Sequence, residues 1–448
     1  MAETVRVGAG AGYAGDRWAP AVELAEKGEI DFLAFECLAE RTIARETLTR
    51  LNDPEAGYNP LLRERMSAVL PTCIEKGIRV ITNMGAANPM EAARQTYKVA
   101  CHLGFTKTRV AVVLGDDVRE ILANMPHLEF IETRTPLEEV LPRMASANAY
   151  LGADSILPAL RTGAEITITG RVADPSLFLA PVLYQLGWSY DDYTSVAMGT
   201  VAGHLLECAG QVTGGYFADP GHKDVTGLAR LGFPYADISQ DGTVEIGKVE
   251  GSGGRIDEQT CTEQLLYEMH DPSHYVTPDC VLDVTDVHFE AMDLNRIRVI
   301  GAKAKERTDT YKVSVGYHDG FLGTGEISYA GINAVPRARL AGEIVKERLK
   351  LRGISYDKLR VELIGMESLH GEPTLGQADP YEVRLRVAGR TIQRQAAEAI
   401  GLEVETLYTN GPAGGAGASQ LVRELLAVQS VLLPRQLVKT SIHVECGS

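Results

Sequence analysis

The sequence predicts an α/β fold, in which an N-terminal domain with a parallel sheet and helices on its faces is followed by an α+β C-terminal region. Two observations lead to this prediction. Up to about residue 190, short β-branched runs alternate with longer amphipathic stretches, which is the pattern of parallel strands joined by crossover helices. After Trp188, glycine-rich and turn-punctuated segments replace that pattern. We therefore divide the chain into residues 1–190 and 191–448, with a softer boundary near residue 275.

Short apolar runs predict the strands of the first domain, and amphipathic runs predict its helices. The predicted strands are Thr4–Val7, Ile30–Phe35, Arg79–Thr82, Arg109–Leu114 and Glu165–Thr169. The predicted helices lie near Trp18–Lys27, Pro60–Lys76, Pro89–Gly104, Val118–Asn124, Ala153–Thr162 and Pro175–Leu186. Several of them have proline in the first turn, where its missing N–H costs no hydrogen bond.

The second region begins with a long predicted helix, Tyr193–Val212, and continues as hairpins and loops. Gln240–Gly242 has the composition of a hairpin turn. Further strands and one helix are predicted at Val281–Val287, Arg296–Ile300, Tyr311–Val315 and Arg337–Leu351.

The composition is that of a globular protein of about two to three domains. Of 448 residues, 45% are hydrophobic and 23% are charged, which excludes disordered and fibrous chains. Lys and Arg number 44 and Asp and Glu number 60, so the formal net charge is −16. This charge argues against an extended surface for nucleic acid or for an anionic membrane, and it leaves room for a small local basic pocket.

Cysteine usage and the N-terminus predict a cytoplasmic protein. The seven cysteines form no CxxC pair, and in a chain of this length they are typical of reduced core thiols. The first residues lack the basic and apolar regions of a signal peptide, and no apolar run approaches the roughly 20 residues of a membrane span. Because most soluble oligomers are symmetric homo-oligomers, we also expect a homo-oligomer.

Polar side chains follow the predicted strands where each strand ends. They are Gly8–Arg17 after the first strand, Glu36 after the second, Asn83 and Gly85 after the third, and Asp116 and Arg171–Asp174 after the last two. Because the carboxyl ends of parallel strands meet at one edge of a sheet, we expect these residues to form an active-site rim.

The loop after the first strand is rich in glycine. Gly10, Gly12 and Gly15 form a GxGxxG pattern, and the next strand ends in a glutamate 21 residues after Gly15, as in a dinucleotide fingerprint. Asp16 follows directly, and its charge opposes a pyrophosphate at the helix N-terminus. We therefore favour a loop that brings its backbone, with Asp16 and Arg17, close to a small ligand. Nicotinamide binding and a purely structural turn are the alternatives.

Two strand ends carry candidate chemistry. Glu36 is a candidate general base if burial raises its pKa, with a structural role as an equal alternative, whereas Glu40 and Arg41 fit a solvated helix start. The planar guanidinium of Arg171 suits a substrate carboxylate, and a structural ion pair with Glu36 or Asp16 is the alternative. Asp174 fits the N-cap of the helix that follows, with substrate contact as the alternative.

His204 and Glu207 share one face of the long helix because they are three residues apart. They are candidates for an acid/base pair, and hydrogen-bonded packing is the alternative. A divalent metal stays open as a cofactor, but a second histidine or carboxylate at ligand spacing is missing.

A polar, glycine-rich loop follows this helix. Gly214, Gly215, Tyr216, His222 and Lys223 are candidate substrate contacts, with Tyr216 as a candidate acid. A solvated loop is the alternative. A second glycine-rich loop at 411–417 is predicted to open a helix and offers backbone amides for an anion, or a tight connection.

Taken together, several motifs strongly resemble the acyclic terpene utilisation (AtuA) family. In order, they are GAGAGYAGDR, DFLAFECLAERT, ITNMGAANP, ITGRVADPSL, GHLLECAGQVTGGYFADPGHKD, LGFP and TEQLLYEMHDPSHYVTPD. The similarity runs from about residue 4 to about residue 365. It implies a catabolic role with acyl-CoA or carboxylic-acid intermediates, at a hydration or carbon–carbon lyase step in citronellol and geraniol breakdown.

The resemblance also implies a small ferredoxin-like domain, carried at the C-terminus or supplied separately. The tail, residues 366–448, does not show that pattern, so we expect it to continue the main body and expect the ferredoxin-like module to be a partner subunit. The segment from Asp379 to Glu382 and the loop at 411–417 are part of this predicted continuation.

The function predicted from these residues is that of a lyase or hydratase for a small carboxylic acid or its CoA thioester. Such chemistry needs a base, an acid and donors to an enolate oxygen. We assign Glu36 as the base, His204 or Tyr216 as the acid, Arg171 as the clamp, and Asn83 with the glycine loop as donors. The alternatives are a non-catalytic ligand-binding or scaffolding subunit and, with less support, a nicotinamide-dependent oxidoreductase.

Overall fold

The computed structural model describes residues 3–371 and 380–446. Its strands are β1 Thr4–Ala11, β2 Phe32–Phe35, β3 Arg79–Thr82, β4 Val110–Leu114, β5 Met144–Ala149, β6 Ile166–Thr169, β7 Pro234–Ser239, β8 Val244–Lys248, β9 Tyr275–Val276, β10 Val281–Asp283, β11 His288–Asp293, β12 Arg296–Ile300, β13 Lys303–Lys305, β14 Thr310–Ala330, β15 Lys358–Ile364, β16 Glu382–Thr391, β17 Ala416–Pro434 and β18 Ser441–Glu445. Its helices are α1 Ala19–Lys27, α2 Glu40–Asn52, α3 Leu62–Lys76, α4 Pro89–His102, α5 Arg119–Ala123, α6 Ala153–Arg161, α7 Ser176–Leu186, α8 Tyr193–Glu207, α9 Glu258–Leu266, α10 Ala334–Leu351, α11 Arg394–Glu405 and α12 Leu407–Asn410. This alternation confirms the α/β fold class.

The first unit, residues 1–316 and 428–448, is built on a large mixed sheet. Its strand order is β11-β12-β8-β7-β1-β2-β3-β6-β4-β18, and the pairs from β1 through β4 are parallel. All four residues of β2 are buried, as expected for a parallel strand covered on both faces. Helices α1, α4, α6 and α7 pack on these central strands.

Antiparallel strands extend the parallel centre on both sides. β7 pairs with β1, and β18, from the end of the chain, pairs with β4. The predicted hairpin at Gln240–Gly242 joins β7 and β8. Strands from beyond residue 190 therefore complete the sheet that the predicted first domain begins, and the sheet continues across the predicted boundary.

The second unit, residues 317–427, has the order βαββαβ. The second part of β14 is followed by α10, β15, β16, α11 and β17, and the sheet order is β15-β16-β14-β17. This connectivity and strand order are those of a ferredoxin-like fold. Both helices pack on β16, and the core between them and the sheet includes Ile327, Val345, Leu385 and Ile400.

The prediction for the tail is therefore wrong in part. The ferredoxin-like module lies within this chain, because the predicted limit near residue 366 cuts through the unit between β15 and β16. Only residues 428–448 return to the first unit. Asp379 lies outside the described residues. The loop at 411–417 leads into strand β17, not into a helix.

In the described ranges, no helix combines the length and the apolar character needed to cross a membrane.

We expect Leu385→Ala to destabilise the second unit. The Leu385 side chain is fully buried, so its loss removes apolar burial and leaves a cavity, at a cost of about 2–5 kcal/mol in the free energy of unfolding. Urea unfolding followed by hydrogen exchange over residues 317–427 measures this cost. Leu402→Ala is the matched control, because Leu402 is 49% exposed on α11, and we expect it to cost about 0.5 kcal/mol or less. Equal losses would contradict the assigned core.

Candidate active site

The carboxyl ends of the parallel strands carry the polar residues that the sequence places there. Glu36 follows β2, Asn83 follows β3, Arg171 follows β6 and Asp116 follows β4, and these strands are neighbours in the sheet. The four side chains are buried at 7%, 0%, 1% and 6% relative exposure. Buried polar groups need partners, and these partners determine what each group can do.

Glu36 sits in a closed turn after β2. Its Oε1 accepts hydrogen bonds from the Leu38 amide at 2.7 Å and from Asn83 Nδ2 at 3.0 Å, while Asn83 Oδ1 accepts from the Cys37 amide at 2.7 Å. Burial raises the pKa of Glu36 to about 8, the charge of Asp174 acts in the same direction, and Arg171 opposes them. Glu36 therefore exchanges its proton near neutral pH. Asn83 is fully buried and uses its amide oxygen and one Nδ2 hydrogen within the protein, which fixes it in the Glu36 turn.

The guanidinium of Arg171 makes its contacts with groups of the protein. Its guanidinium donates to the carbonyls of Leu38 and Val172 and to Asp174 Oδ1, and it stacks 4.4 Å from the centroid of the Tyr150 ring. Burial would lower its pKa, but the charge of Asp174 and of other neighbours outweighs burial and keeps the pKa raised. These contacts occupy most of its donors. The observed arrangement is an ion pair, but its partner is Asp174 and not Glu36 or Asp16 as in the alternative.

Asp174 does not cap the helix that follows it. The residue before α7 is Pro175, and no side chain accepts a capping hydrogen bond there. Asp174 instead pairs with Arg171, and its side chain keeps 36% exposure. Burial raises its pKa, and the Arg171 charge opposes this shift. The N-cap prediction is therefore wrong, and Asp174 is a partly accessible carboxyl group beside Glu36.

The pKa of Glu40 is shifted in the opposite direction to that of Glu36. Tyr150 donates to Glu40 Oε1 at 2.5 Å, and Lys312 Nζ lies 3.3 Å from the same oxygen. Burial acts to raise the pKa of Glu40, but the Tyr150 hydrogen bond and the charges of Arg171 and Lys312 outweigh it and lower the pKa to about 2. Glu40 is therefore a permanent carboxylate, and it is the first residue of α2.

His204 and Glu207 form a buried pair at the end of α8. His204 Nδ1 lies 2.7 Å from Glu207 Oε1, and His204 Nε2 lies 3.0 Å from the carbonyl of Leu265. Both ring nitrogens therefore face protein acceptors. Glu207 Oε2 is buried and has no hydrogen-bond partner among residues 3–371 and 380–446. Burial raises the pKa of Glu207 to about 7, and His204 opposes this shift.

Charges connect this pair with the strand ends. The charge of Asp174 acts on the pKa of both Glu36 and Glu207, so both glutamates lie within electrostatic range of Asp174. We call Glu36, Asp174 and Glu207 the acid cluster. The same three charges act on Cys208. Burial raises the pKa of the Cys208 thiol, and the charges of Glu207, Glu36 and Asp174 raise it further.

Tyr275 belongs to this region and was not predicted from the sequence. Its ring lies 5.5 Å from the His204 ring, centroid to centroid. Burial raises the pKa of its hydroxyl, and the charges of Glu207 and Asp174 raise it further. The motif that contains Tyr275 carries part of the family resemblance, but its spacing alone gives no signal for a site residue.

The glycine loop packs against the end of α8. A Cβ on Gly12 would lie 2.4 Å from the carbonyl carbon of Cys208, and one on Gly10 would lie 2.7 Å from the Phe35 ring. Asp16 closes the loop, since its carboxylate accepts from the amides of Gly12 at 2.9 Å and Arg17 at 2.8 Å. These two amides are therefore engaged by a carboxylate of the protein, which does not fit a pyrophosphate site.

Gly85 and Asp116 have structural roles at the strand ends, whereas Gly15 does not. A Cβ on Gly85 would lie 2.4 Å from the Thr169 carbonyl oxygen, so Gly85 allows the ends of β3 and β6 to approach. Gly15 is exposed, and its closest neighbour is the flexible ring of Tyr13. Asp116 accepts hydrogen bonds from the Arg171 amide and from Asn148 Nδ2, both at 2.9 Å, and so fixes the start of the Arg171 turn.

Arg65 is a second residue that sequence reasoning missed. It is fully buried on α3 and donates to the carbonyl of Asp16 at 2.7 Å and to Cys37 Sγ at 3.1 Å. It therefore ties the glycine loop to the Glu36 turn. Its place inside a helix rich in charged residues gives no sign of burial.

The loop after α8 lies at the surface. Tyr216 is 86% exposed, its ring is 6.4 Å from that of Tyr267, and His222 is exposed as well. Lys223 Nζ lies 2.5 Å from Glu263 Oε2. The structure does not bring these side chains into the acid cluster.

The two glycines of this loop serve its conformation. Gly214 has a φ of +101°, which favours glycine, and a Cβ on Gly215 would lie 2.8 Å from the Gly210 carbonyl oxygen.

Strained backbone lies close to the same groups. Ala209, which follows Cys208, has a φ of 41°, and Glu268, whose charge acts on Glu207 and Tyr275, has a φ of 57°. Left-handed backbone at residues with a Cβ is costly and is concentrated at functional sites. In the described residues, no group of three or more His, Cys, Asp or Glu side chains has the geometry to hold a metal ion.

A comparison with protein families matches residues 5–444 to the family described as "Acyclic terpene utilisation family protein AtuA". The chain belongs to the AtuA family. The match includes the second unit, so it extends well beyond the predicted limit near residue 365. No curated protein and no solved structure matches the chain. The role of this AtuA protein is accordingly in the utilisation of acyclic terpenes.

We expect Gly12→Ala to destabilise this AtuA protein. The new Cβ would lie 2.4 Å from a backbone carbon, which cannot move aside as a side chain can, and the expected cost is about 1–3 kcal/mol in the free energy of unfolding. Urea unfolding measures it. Gly15→Ala is the control in the same loop, because its Cβ would meet only the exposed ring of Tyr13 at 3.0 Å. Equal effects of the two changes would contradict the packing role.

Glu36 should make stability depend on pH. The pKa of Glu36 is about 8 in the folded protein and about 4.3 in the unfolded chain. Its contribution to the free energy of unfolding is therefore complete below about pH 4.3 and is lost as the pH rises towards 8. We expect Glu36→Gln to lose less stability than the wild type between about pH 5 and pH 8.

Urea midpoints across this range measure the slope. Glu40→Gln is the control, because a folded pKa of about 2 means that the Glu40 contribution is already complete at about pH 5 and stays constant above it. An unchanged slope in Glu36→Gln would show that Glu36 is not buried as described.

Proposed function

We propose that this AtuA protein is a lyase or hydratase that acts on a small carboxylic acid or its CoA thioester by acid/base chemistry next to the carbonyl. The observation that carries the proposal is the acid cluster. It combines Glu36, with a pKa of about 8, and Glu207, with a pKa of about 7, within range of the same Asp174. Catalytic acids and bases work best when their pKa lies near the working pH.

The pKa order favours roles that differ from those predicted from the sequence. Glu207 has the lower value, and its Oε2 has no protein partner in the described ranges, so we assign it as the base. His204 is a positioning residue, because its Nδ1 forms a hydrogen bond with Glu207 Oε1 and so orients the carboxyl group. Glu36 has the higher value and accepts both its hydrogen bonds on Oε1, so we assign its Oε2 as the proton donor.

These roles describe a balanced elimination. Glu207 takes the proton from the carbon next to the carbonyl, the carbon–oxygen bond one carbon further breaks, and Glu36 gives its proton to the departing hydroxyl. A carbon–carbon double bond and one water molecule result, and hydration is the reverse. We assign the Tyr275 hydroxyl as the donor to the enolate oxygen, in place of Asn83 and the glycine loop. The Tyr275 hydroxyl has no hydrogen bond to the protein among the described residues.

The test follows the first proton transfer and does not require knowledge of the full reaction. Short-chain acyl-CoA thioesters and their free acids are incubated with the protein in D₂O, and mass spectrometry follows deuterium at the carbon next to the carbonyl. We expect exchange with at least one thioester or acid. Glu207→Gln should slow it about a hundredfold or more, because the base is lost. Glu250→Gln, on an exposed turn, is the control and should exchange as the wild type does.

Two outcomes would contradict the proposal. Binding of a thioester or acid without any exchange would favour the non-catalytic subunit. Exchange that Glu36→Gln and Glu207→Gln both leave unchanged would place the chemistry elsewhere in the molecule.

A further inference from the structure

A cavity of about 320 Å³ lies in the first unit, apart from the acid cluster. Its lining includes Asp154, Arg307, Tyr311, Arg435 and Thr440. Its volume is at the lower end of the range for sites that bind small molecules. Asp154 is three residues beyond Leu151, which bridges to Val172, the residue after Arg171. One residue of the lining is therefore close along the chain to a partner of the strand end that carries Arg171.

The charges of the lining residues do not cancel. Arg307 Nη1 lies 2.5 Å from Asp154 Oδ2, so this pair is neutral. Arg435 has no carboxylate within 4.0 Å in residues 3–371 and 380–446. Its guanidinium lies 4.1 Å from the centroid of the Tyr311 ring, and it donates to the carbonyls of Thr308 and Pro278. Because arginine stays charged at all ordinary pH values, the cavity is positive in a chain of net charge −16.

Two polar atoms of this lining lack partners. Arg435 Nη1 and Asp154 Oδ1 are both buried and have no hydrogen-bond partner among the described residues. A buried polar atom without a partner is costly, so a ligand that supplies both an acceptor and a donor would relieve both deficits. An oxyanion next to a hydroxyl group has this combination. Arginine favours phosphate among oxyanions because its planar donors match the phosphate oxygens.

We propose that this cavity binds a ribose phosphate monoester, with the phosphate at Arg435 and a neighbouring hydroxyl at Asp154. The ligand is the phosphorylated ribose of a CoA thioester, and this identification rests on the proposed function. A free nucleotide carries the same chemistry. The cavity is then a second point of attachment for the substrate, separate from the groups that transfer protons.

Calorimetric titration of the full chain tests the proposal without turnover. The probes are CoA, dephospho-CoA and the phosphorylated adenosine portion of CoA. We expect CoA and the adenosine portion to bind, and dephospho-CoA to bind about tenfold more weakly or worse, as for the loss of one charge-assisted hydrogen bond. Arg435→Gln should weaken CoA binding by a similar factor and should remove the preference for CoA over dephospho-CoA.

Further variants distinguish a specific loss of CoA binding from a folding defect. Arg435→Lys keeps the charge and should bind CoA more tightly than Arg435→Gln does. Arg298→Gln, which removes an arginine that pairs with Glu245 elsewhere in the sheet, should bind CoA as the wild type does. Equal affinity of the wild type and both Arg435 variants for CoA would overturn the proposal, as would equal affinity of the wild type for CoA and dephospho-CoA.

The outcomes also separate this proposal from the proposed function. Deuterium exchange into an acyl-CoA, together with no effect of Arg435→Gln on CoA binding, overturns the cavity proposal alone. Arg435-dependent binding of the adenosine portion, together with no exchange into any thioester, supports the cavity as a nucleotide site and overturns the proposed function. Tighter binding of free adenosine nucleotides than of CoA identifies a free nucleotide as the ligand.

Discussion

The arrangement of the carboxyl groups depends on one buried cation, Arg171. Taking a guanidinium out of water is expensive unless acceptors replace the lost hydration. Here the acceptors are the carbonyls of Leu38 and Val172 and the carboxylate of Asp174, and the Tyr150 ring covers one face. The same contacts fix the turn after β2 next to the turn after β6. Glu36 and Asp174 can therefore stand side by side at the edge of the sheet, although their charges repel each other.

Two glutamates four residues apart show how local surroundings separate the pKa values of identical groups. Glu36 is enclosed, and two hydrogen bonds do not offset the loss of water, so its pKa rises to about 8. Glu40 is also partly buried, but a tyrosine hydroxyl, Arg171 and Lys312 stabilise its charge, and its pKa falls to about 2. Arg171 acts on both carboxyl groups, and the difference comes from burial and Asp174 at Glu36 and from Tyr150 and Lys312 at Glu40. One glutamate is thus fixed as an anion, while the other can give and take a proton.

The sequence predicts those parts of the fold that local pattern determines. β3 matches its predicted bounds, and α6 differs by one residue, because a β-branched run and an amphipathic run are local signals. The ends of the parallel strands likewise indicate where Glu36 and Arg171 lie. Tyr275 and Arg65 come from segments distant in sequence, and only the folded chain brings them to the site. The glycine loop illustrates the same limit, since its pattern predicts a backbone that approaches a small ligand, whereas the close neighbour of Gly12 is the backbone of Cys208.

The His204–Glu207 pair determines which carboxyl group can act as a base. Both nitrogens of His204 face acceptors, so Nε2 carries a proton for the Leu265 carbonyl, and one further proton lies between Nδ1 and Glu207 Oε1. Burial would lower the pKa of His204, but the charge and hydrogen bond of Glu207, the Leu265 carbonyl and the charge of Glu268 together outweigh it and raise the pKa. The shared proton lies on the line between Nδ1 and Oε1, so it leaves Oε2 free of it. Since Oε1 is engaged with His204, the unpartnered Oε2 carries the available basic lone pair, and the helix spacing of His204 and Glu207 determines its position.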